Sequence, residues 1–394
     1  MSGARPVLVA AGGTGGHVFP AVALTEALVA RGRAVTFVTD PRGAALLDRG
    51  IALPDGARRI VLPAGHLAGG VAAKTRALAG LARGFLAARR LVRDERPAAA
   101  IGFGGYPTVA PLLAARLAGV PMIVHEANAL LGAANRFLAT RASACALTFA
   151  DTAGLPAVAR GRVRVVGNPV RADIAALVHA PYAPPAPGGR VALFVIGGSL
   201  GARQLAVTVP EAVAMLPAAL RARLSVAQQV RADDRAAAEA AWRKAGVAAE
   251  MAPFFVDVPR RLATAHIVVA RAGASTVAEL IAAGRPAILV PWKHAAGDHQ
   301  TANAAALTAA GGGWAFAEDA FTPAALAGCL RTLIADPAAL AAAAAAVRRA
   351  GPADAAQRLA DLVDEVAQTQ LRPARNAGRG TPADTNTQHR EAVA

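Results

Sequence analysis

The feature that most constrains the fold is a pattern that occurs twice: a short apolar run, a glycine-rich turn and then a helical period. The first copy, VLVAAGGTGGHVFPA, begins at Val7, and the second, VALFVIGGSLGARQ, begins at Val191. A short apolar run that ends in glycines is typical of a buried strand, and apolar residues at helical spacing follow each turn. Each copy therefore predicts a strand that passes into a helix through a glycine turn.

Further strand-like runs alternate with helical patterns along the chain. In the first 170 residues we predict strands at Val7–Ala11, Ala34–Thr39, Ala99–Gly102, Met122–His125, Ala144–Leu147 and Arg164–Val166. In the second half, besides the run that begins at Val191, we predict strands at Glu250–Pro253, Ile267–Ala270 and Ala287–Val290. Alternating strands and helices indicate a parallel sheet with helices on both faces, so the predicted fold class is α/β.

Length and a proline-rich stretch divide the chain into two halves. At 394 residues the chain exceeds one ordinary hydrophobic core, and the stretch HAPYAPPAPGGR has the composition of a linker. We predict an N-terminal domain over 1–171, a linker over 172–190, a C-terminal domain over 191–370 and a disordered tail over 371–394. Because each half opens with the same pattern, we expect two Rossmann-like domains that face each other.

The positive charge narrows the range of partners. The formal net charge is +16, and basic residues interleave with leucines and a phenylalanine over 72–93, which indicates a basic amphipathic helix. Such a helix suits an anionic membrane surface, and a solvated helix face is the alternative. Gly80 and Gly84 argue against an unbroken helix. Only 4% of residues are aromatic and no recognition motif accompanies the charge, so nucleic acid is not the expected partner.

The sequence predicts neither a membrane span nor a disulfide framework. The N-terminal apolar run has only the length of a strand, so no signal peptide is expected. The long uncharged stretch from Pro97 to Ala115 is interrupted by glycines and prolines, unlike a spanning helix. Cys145 and Cys329 fit no metal spacing. We therefore expect a soluble protein of the cytosol.

Polar clusters follow several predicted strands at the point where each strand ends. Ligands of an open parallel sheet bind in the crevice beyond the carboxyl ends of its strands, so these clusters are candidate binding loops. Glycines let a ligand approach the backbone, and a helix N-terminus attracts an anion such as phosphate. The clusters are Thr14–His17, GFGGYPT at 102–108, HEAN at 125–128, GNPVR at 167–171, Ser199, RAGASTVAEL at 271–280 and PWKHAAGDHQTAN at 291–303.

Each cluster also has a purely structural interpretation. The glycine turns can be mere tight connections, and Thr276 with Glu279 has the spacing of a helix capping box. Asn168 is a common turn opener, and His125 with Glu126 could simply end a strand. The coincidence of these clusters at strand ends in both halves favours a binding cleft between two domains.

The glycine turns do not match a dinucleotide site. Val18 occupies the third glycine position of G-x-G-x-x-G, although Asp40 stands where a ribose ligand is expected, and the second turn spaces its glycines wrongly. The chain contains no D-x-D pair to hold a metal against a diphosphate. We therefore expect backbone N–H groups, helix dipoles and Arg171 to meet a diphosphate without a metal or a cofactor.

Seven segments occur in order between residues 5 and 365: GGTGGHVFPA, GFGGYPT, HEAN, GNPVR, GGSLGA, RAGASTVAEL and HAAGDHQTANA. Together they resemble the bacterial MurG family of UDP-N-acetylglucosamine:lipid I transferases. The resemblance implies a GT-B fold of two Rossmann-like domains across a cleft. It also implies an inverting, metal-independent hexosyltransferase that moves N-acetylglucosamine to the MurNAc 4-hydroxyl of lipid I, giving lipid II for peptidoglycan and the cell wall.

The same resemblance implies where such an enzyme works. The family acts peripherally on the cytoplasmic side of the inner membrane, which would give the basic segment 72–93 a purpose. Proteins of cell-wall synthesis and cell division are further partners that the resemblance allows.

The resemblance also assigns site residues, motif by motif. His17 and Glu126 are the two candidates for the base that removes the proton of the acceptor hydroxyl, since histidine titrates near neutral pH. The acceptor diphosphate would meet Gly12, Gly13, Gly104, Gly105 and Tyr106. UDP-N-acetylglucosamine would be bound by Thr14, Gly15, Gly16, Asn128, Arg171, Ser199, Val256, Ala274, Ser275, Thr276, Val277, Ala278, Glu279 and Gln300, with His299 beside the last.

Two other functions compete with this interpretation. Another GT-B transferase, with a lipid acceptor such as diacylglycerol, would use the same donor motifs, although the pair GGTGGH and GFGGY favours a diphosphate acceptor. A basic nucleic-acid-binding protein would account for the charge, but it leaves the paired glycine turns and Glu279 unexplained.

Overall fold

The structure is a computed structural model that describes residues 5–48, 52–63, 71–198 and 202–369. Its strands are β1 (Val7–Ala10), β2 (Val35–Thr39), β3 (Ala57–Val61), β4 (Ala99–Gly102), β5 (Met122–Glu126), β6 (Ala144–Leu147), β7 (Val163–Val165), β8 (Val191–Ile196), β9 (Leu224–Gln229), β10 (Ala249–Ala252), β11 (Ile267–Ala270), β12 (Ala287–Leu289) and β13 (Gly313–Ala315). The described strands form a seven-stranded sheet, ordered β3-β2-β1-β4-β5-β6-β7, and a six-stranded sheet, ordered β10-β9-β8-β11-β12-β13. Neighbouring strands are parallel throughout.

Helices cover both faces of the two sheets. On β1, Val7 and Val9 pack into one apolar cluster, whereas Leu8 and Ala10 pack into another on the opposite face. The helices are α1 (Gly15–Ala30), α2 (Pro41–Leu47), α3 (Val71–Glu95), α4 (Val109–Leu117), α5 (Ala133–Ala139), α6 (Ala172–Ala175), α7 (Arg203–Ala214), α8 (Ala218–Arg221), α9 (Arg235–Ala245), α10 (Val258–Thr264), α11 (Ala274–Ala283), α12 (His299–Ala309), α13 (Pro323–Ala335), α14 (Pro337–Arg349) and α15 (Ala355–Thr369).

Each sheet has one point at which the order of its strands reverses. In the first sheet β1 lies between β2 and β4, and in the second sheet β8 lies between β9 and β11. A crevice opens beyond the carboxyl ends of the strands at such a point. The two glycine turns follow β1 and β8, GFGGYPT follows β4 and RAGASTVAEL follows β11, so the fold collects these segments in two crevices.

The predicted α/β class is confirmed, and each predicted strand lies within one residue of its predicted bounds. Three strands of the sheets were not predicted: β3, β9 and β13. Each is partly exposed, and β3 and β13 lie at sheet edges, so none of them is a continuous apolar run. A pattern search for buried strands does not detect such segments.

The basic segment forms one helix, α3, across Gly80 and Gly84, so the break that these glycines suggested is absent from it. A Cβ on Gly84 would collide with the carbonyl oxygen of Pro63. Gly84 therefore serves the close packing of α3 on the preceding segment.

The last helix, α15, packs in the first half of the molecule. Leu359 and Val363 are buried in the same cluster as the β1 residues. Arg31, at the end of α1, pairs with Asp361 at 2.7 Å, and Arg33 pairs with Asp364 at 2.6 Å. A segment that the sequence assigned to the C-terminal domain thus completes the core of the N-terminal one.

The other domain bounds stay predictions. The first part of the predicted linker contains α6 and a 3-10 turn at Ala176–His179, and the predicted tail lies outside the described residues. Within the described ranges, no single helix has both the length and the apolar character to cross a membrane, and α13 with α14 meets the criterion only as a bent pair.

Candidate active site

The first glycine turn is held by a buried carboxylate. Asp40, which follows β2, accepts hydrogen bonds at Oδ1 from the backbone N–H of Gly13 at 2.8 Å and of Gly43 at 2.9 Å. A Cβ on Gly12 would lie 2.6 Å from this oxygen and 3.0 Å from the Cβ of Pro107, so only glycine fits. Asp40 therefore fixes the turn, and the ribose role weighed for a dinucleotide enzyme does not apply to it.

His17 lies between this turn and the glycine pair that follows β4. A Cβ on Gly104 would be 3.4 Å from His17 Nε2, and one on Gly105 would be 3.3 Å from Nδ1, so the ring rests against their backbone. His17 Nδ1–H donates to the carbonyl of Gly12 at 3.2 Å. Because a carbonyl can only accept, this bond places the proton on Nδ1 and leaves the Nε2 lone pair available.

The surroundings of His17 favour its neutral form. Burial lowers the pKa of His17 below the ordinary value of 6.5, and the charge of Glu126 offsets part of this effect. His299, at the start of α12, also lowers the pKa of His17. His299 of the second half therefore adds to the effect of burial on His17.

Glu126, at the end of β5, is buried and accepts four hydrogen bonds. Its donors are the N–H of Asn128 at 3.0 Å, the side-chain nitrogen of Asn128 at 2.9 Å, the N–H of Gly132 at 2.9 Å and the side-chain nitrogen of Asn135 at 3.0 Å. Asn135 also donates to the carbonyl of His125 at 2.8 Å. The carboxylate thus folds the loop after β5 around itself, which is a positioning role.

His125 has the structural role that its strand-end position suggested. The side chain is completely buried, its Nε2–H donates to the carbonyl of Gly167 at 3.0 Å, and its ring lies 4.9 Å from that of Phe103. Burial lowers the pKa of His125 to about 4, so it stays uncharged. It joins β5 to the segment GNPVR.

The start of α11 faces the cleft from the second half. This helix begins at Ala274 with Gly273 as its N-cap, so Thr276 is its third residue and not a cap. The capping-box interpretation of Thr276 and Glu279 is therefore wrong. Asn168 donates to the carbonyl of Ala274 at 3.5 Å, which connects the first half to this helix.

Two buried polar atoms at this place have no hydrogen-bond partner among the described residues. They are Ser275 Oγ and Asn168 Oδ1. Buried polar atoms are normally hydrogen-bonded. Two such atoms without a partner, beside the N–H groups of a helix N-terminus, therefore indicate a place for a polar ligand. The helix dipole makes a negatively charged ligand the best fit.

Glu279 lies one and a half turns further along α11. Burial raises the pKa of Glu279 to about 7, with Arg171 lowering it and Asp173 raising it in part. Arg171 is half-exposed and lies 3.8 Å from Asp173 through its Nε. The carboxyl of Glu279 is thus held close to its ionisation midpoint at neutral pH.

A buried ion pair holds the loop between β12 and α12. Arg271 and Glu318 pair at 2.6 Å, and Arg271 also donates to the carbonyls of Val290 at 3.2 Å and Pro291 at 3.3 Å. Glu318 Oε2 accepts from the N–H of Lys293 at 3.2 Å. Neither member of this pair was among the predicted site residues.

Gln300, on the first turn of α12, contacts the same loop. Its Oε1 accepts from the N–H of Trp292 at 3.0 Å, which orients the amide. Asn303, three residues later, is completely buried and bonds to Asn128, Ala129 and Ala272. Asn303 lies within the segment HAAGDHQTANA but is not among the predicted site residues, although an asparagine inside an alanine-rich helix is a usable signal.

The structure does not join every predicted residue to these groups. Val256 is 86% exposed on the loop after β10, and Tyr106 is 48% exposed beside the glycine pair. Val277 packs into the core beneath α11 and Ala278 is buried as well, so only their backbone is available. Ser199 lies outside the described residues.

The predicted site residues that line the cleft fall into two groups, one from each half of the molecule. From the first half come Gly12, Gly13, Thr14, Gly15, Gly16, His17, Gly104, Gly105, Glu126 and Asn128. From the second half come Ala274, Ser275, Thr276, Glu279, His299 and Gln300. Among the described residues, no group of three or more His, Cys, Asp or Glu side chains is arranged to hold a metal ion.

Comparison with known proteins identifies the family. The glycosyltransferase family 28 N-terminal domain matches residues 7–147, and the family 28 C-terminal domain matches residues 192–359. The crystal structure of Acinetobacter baumannii MurG superposes with a TM-score of 0.75 at 28% identity, covering 92% of this chain and 100% of that one. The chain belongs to the MurG family of glycosyltransferases.

Sequence relatives agree with membership of the MurG family. A protein of Rhodospirillum centenum is 49% identical over 358 residues, which are 91% of this chain and 93% of that protein. A protein of Methylobacterium nodulans is 51% identical over 370 residues, which are 93% and 98% of the two chains. Both are named UDP-N-acetylglucosamine--N-acetylmuramyl-(pentapeptide) pyrophosphoryl-undecaprenol N-acetylglucosamine transferase. The GT-B fold and the hexosyltransferase class expected from the sequence are thereby confirmed.

The packing of His17 against the glycine pair predicts the effect of Gly105→Ala. The new Cβ would lie only 3.3 Å from His17 Nδ1 and Cε1, which is closer than an ordinary contact, so the imidazole must shift away from the glycine pair and toward the cleft. We expect the pKa of His17 to rise toward 6.5 when it is followed by NMR titration.

Gly119→Ala is the matched control for this measurement. Gly119 has φ 75°, the same value as Gly105, and a Cβ there meets open space. Both variants bear the backbone cost of a left-handed residue, roughly 1–2 kcal/mol, but only Gly105→Ala disturbs the ring. An equal pKa of His17 in both variants would contradict the packing described.

Proposed function

We propose that this protein transfers N-acetylglucosamine from UDP-N-acetylglucosamine to the MurNAc 4-hydroxyl of lipid I, giving lipid II for peptidoglycan synthesis. Two observations carry the proposal: the Nε2 lone pair of His17 at the start of α1, and the unpaired polar atoms at the start of α11, a helix that packs against α1. This arrangement suits a base facing an anionic leaving group. The names of the relatives supply the two substrates.

The donor diphosphate binds at the start of α11. The free N–H groups of Ala274, Ser275 and Thr276 and the hydroxyl of Ser275 offer hydrogen bonds, and the helix dipole favours the negative charge. Ser199, outside the described residues, is assigned to the same phosphates by the family motif. This set meets the diphosphate charge without a metal ion.

The other parts of the donor occupy neighbouring groups of the second half. The carboxylate of Glu279 accepts hydrogen bonds from the ribose hydroxyls, and the backbone of Val256 meets uracil. Gln300, whose oxygen is already bonded to Trp292, presents its amide nitrogen to the sugar hydroxyls beside His299. From the first half, Arg171 and Asn128 complete the donor site together with Thr14, Gly15 and Gly16.

The acceptor occupies the crevice of the first half. Its diphosphate lies against the backbone of the two glycine turns, at Gly12, Gly13, Gly104 and Gly105, with Tyr106 at the rim. A Cβ has no room at Gly12 and little room at Gly104 and Gly105. The backbone itself is therefore the surface that the ligand meets.

The reaction is a direct displacement at the anomeric carbon. His17 Nε2 takes the proton of the MurNAc 4-hydroxyl as its oxygen forms the new bond to the sugar. The bond between the anomeric carbon and the UDP oxygen breaks, and its electron pair leaves with the diphosphate. The α11 N-terminus stabilises that charge, and attack from the opposite face inverts the configuration.

Of the two candidate bases, His17 fits better than Glu126. Four donors already occupy the oxygens of Glu126, whereas the Nε2 atom of His17 accepts no hydrogen bond from the described residues. Glu126 then acts by shaping the loop after β5 and by its charge near His17.

We also propose that the protein binds the cytoplasmic face of the inner membrane through α3. Along the described part of this helix Leu86 is 56% exposed, and Arg83, Arg89 and Arg90 are exposed beside it. An apolar side chain among cations suits an anionic lipid surface. Cell-wall synthesis proteins at the same membrane are the further partners that this location allows.

The direct test supplies the purified protein with UDP-N-acetylglucosamine and a short-chain lipid I analogue in EDTA. We expect product with the added mass of one N-acetylhexosamine, and none with diacylglycerol as acceptor. Transfer to diacylglycerol instead would show that diacylglycerol, and not lipid I, is the acceptor. Donor binding without transfer to either molecule would show that the acceptor is a different compound. Loss of transfer in EDTA alone would overturn the metal-free mechanism.

The assignment of His17 as the base predicts a separation of rate from affinity. His17→Ala should lower kcat by about 10²–10⁴-fold, because proton removal is lost, while UDP-N-acetylglucosamine binds within a few-fold of wild type. Steady-state kinetics and calorimetry measure the two quantities. Equal losses in kcat and donor affinity would show that His17 binds the donor rather than serving as the base.

The raised pKa of Glu279 predicts that donor affinity depends on pH. The ionised carboxylate accepts the ribose hydroxyls better than the protonated acid does, and its pKa of about 7 lies above the ordinary 4.5. Affinity for UDP-N-acetylglucosamine, whose diphosphate does not titrate here, should fall about tenfold from pH 8 to pH 6. Calorimetry at several pH values measures this.

Two variants control the pH experiment. Glu279→Gln should bind more weakly and lose the pH dependence. Glu26→Gln removes another half-buried carboxyl that shares the neighbours Arg171 and Asp173, and it should keep the dependence. A wild-type affinity that is flat across this range would show that the protonation of Glu279 does not govern binding.

The membrane proposal predicts a loss of binding when charge on α3 is reversed. Arg89→Glu with Arg90→Glu should weaken sedimentation with phosphatidylglycerol vesicles roughly tenfold or more, since each basic residue near the surface contributes about 1 kcal/mol. Arg243→Glu with Lys244→Glu, an exposed basic pair on α9, is the matched control. Equal weakening of vesicle binding by both pairs of substitutions would indicate that the net charge of the protein attracts the membrane and that α3 is not a specific binding face.

A further inference from the structure

Asn303 connects the two halves of the molecule through one buried amide. It lies on α12 and is 0% exposed. Its Oδ1 accepts from the N–H of Ala129 at 2.8 Å, and its Nδ2 donates to Asn128 Oδ1 at 3.1 Å and to the carbonyl of Ala272 at 3.0 Å. The first two partners belong to the loop after β5, and the third immediately precedes the N-cap of α11.

The chemistry of the neighbours dictates that residue 303 be an amide in one orientation. Glu126 Oε1 only accepts, so Asn128 turns its NH₂ group toward Glu126 and its oxygen toward Asn303. That oxygen needs a donor, the carbonyl of Ala272 needs a second donor, and the N–H of Ala129 needs an acceptor. A primary amide provides all three at once.

The groups around position 303 also exclude other side chains of similar size. An aspartate at 303 would keep an acceptor for Ala129 but would set an oxygen against Asn128 Oδ1 and the Ala272 carbonyl. Rotating the Asn128 amide would not relieve this, because its oxygen would then face the carboxylate of Glu126. A leucine or alanine would leave three buried polar groups unpaired, at a cost typical of lost buried hydrogen bonds.

We propose that Asn303 is a positioning residue that couples the donor half of the cleft to the acceptor half. It sets the amide of Asn128 and fixes the distance between the start of α11 and the loop that Glu126 organises beside His17. The proposal rests on the proposed function, in which the donor lies on α11 and the base is His17. UDP, held by the second half, should bind without this connection, whereas transfer should need it.

The experiment compares three single variants of the full chain. Asn303→Ala removes all three bonds, and Asn303→Asp keeps only the acceptor. Thr308→Ala is the control on the same helix, because among the described residues the hydroxyl of Thr308 bonds only to the carbonyl of Ala305 within α12. Transfer kinetics, UDP calorimetry and hydrogen exchange of a peptide containing Ala129 are measured for each.

The expected result separates transfer from UDP binding. Both Asn303 variants should lower kcat roughly 10- to 100-fold, because a small misplacement of reacting groups is enough, while the Kd for UDP stays within twofold. Exchange at Ala129 should quicken in Asn303→Ala and less so in Asn303→Asp. Thr308→Ala should match wild type in every measurement.

Three results would overturn the proposal. Parallel losses of kcat and UDP affinity would confine Asn303 to a local role at α11. An unchanged kcat in Asn303→Asp would show that the orientation of Asn128 is immaterial. Unchanged exchange at Ala129 in both variants would show that the connection does not hold the loop, and this readout stands even where the wild type transfers no sugar.

Discussion

In both sheets all the strands run in one direction, and the rest of the molecule follows from that constraint. Parallel strands place every carboxyl end at one edge, and the reversal of strand order opens a crevice there. Glycines line both crevices because the backbone, rather than side chains, forms their walls. At Gly12 even a methyl group would collide with Asp40, so the turn has one shape available to it.

Buried carboxylates recur as the means of holding these loops. Asp40 accepts two backbone N–H groups at the first glycine turn, Glu126 accepts two at the loop after β5, and Glu318 accepts one at the loop before α12. A carboxylate that receives several N–H bonds replaces the water lost on burial. Glu279 differs, because it has the charged neighbours Arg171 and Asp173 and no hydrogen bond among the described residues.

The sequence was sufficient for the fold class and for the motifs that meet in the cleft. The strands with continuous apolar runs were found because burial on both faces leaves a local signal, whereas the half-exposed edge strands β3 and β13 carry none. The motif residues His17 and Ser275 could be named, but the bond that fixes the tautomer of His17 could not. Asn303 and the pair of Arg271 with Glu318 were missed, because their partners lie far away in sequence and only the folded chain brings them together.

The return of α15 to the first core has a mechanical consequence. The chain crosses between the two halves once near Gly167 and again near Pro352, and a Cβ on Gly167 would lie 2.8 Å from Pro352 and 3.0 Å from Ala355, so the crossings touch. Two adjacent crossings of the chain resist twisting and sliding of one half against the other, but they permit the halves to bend about the line that joins the crossings. The two halves are therefore joined about a single axis, and the hydrogen bonds that Asn303 makes to Asn128 and Ala129 oppose rotation about it.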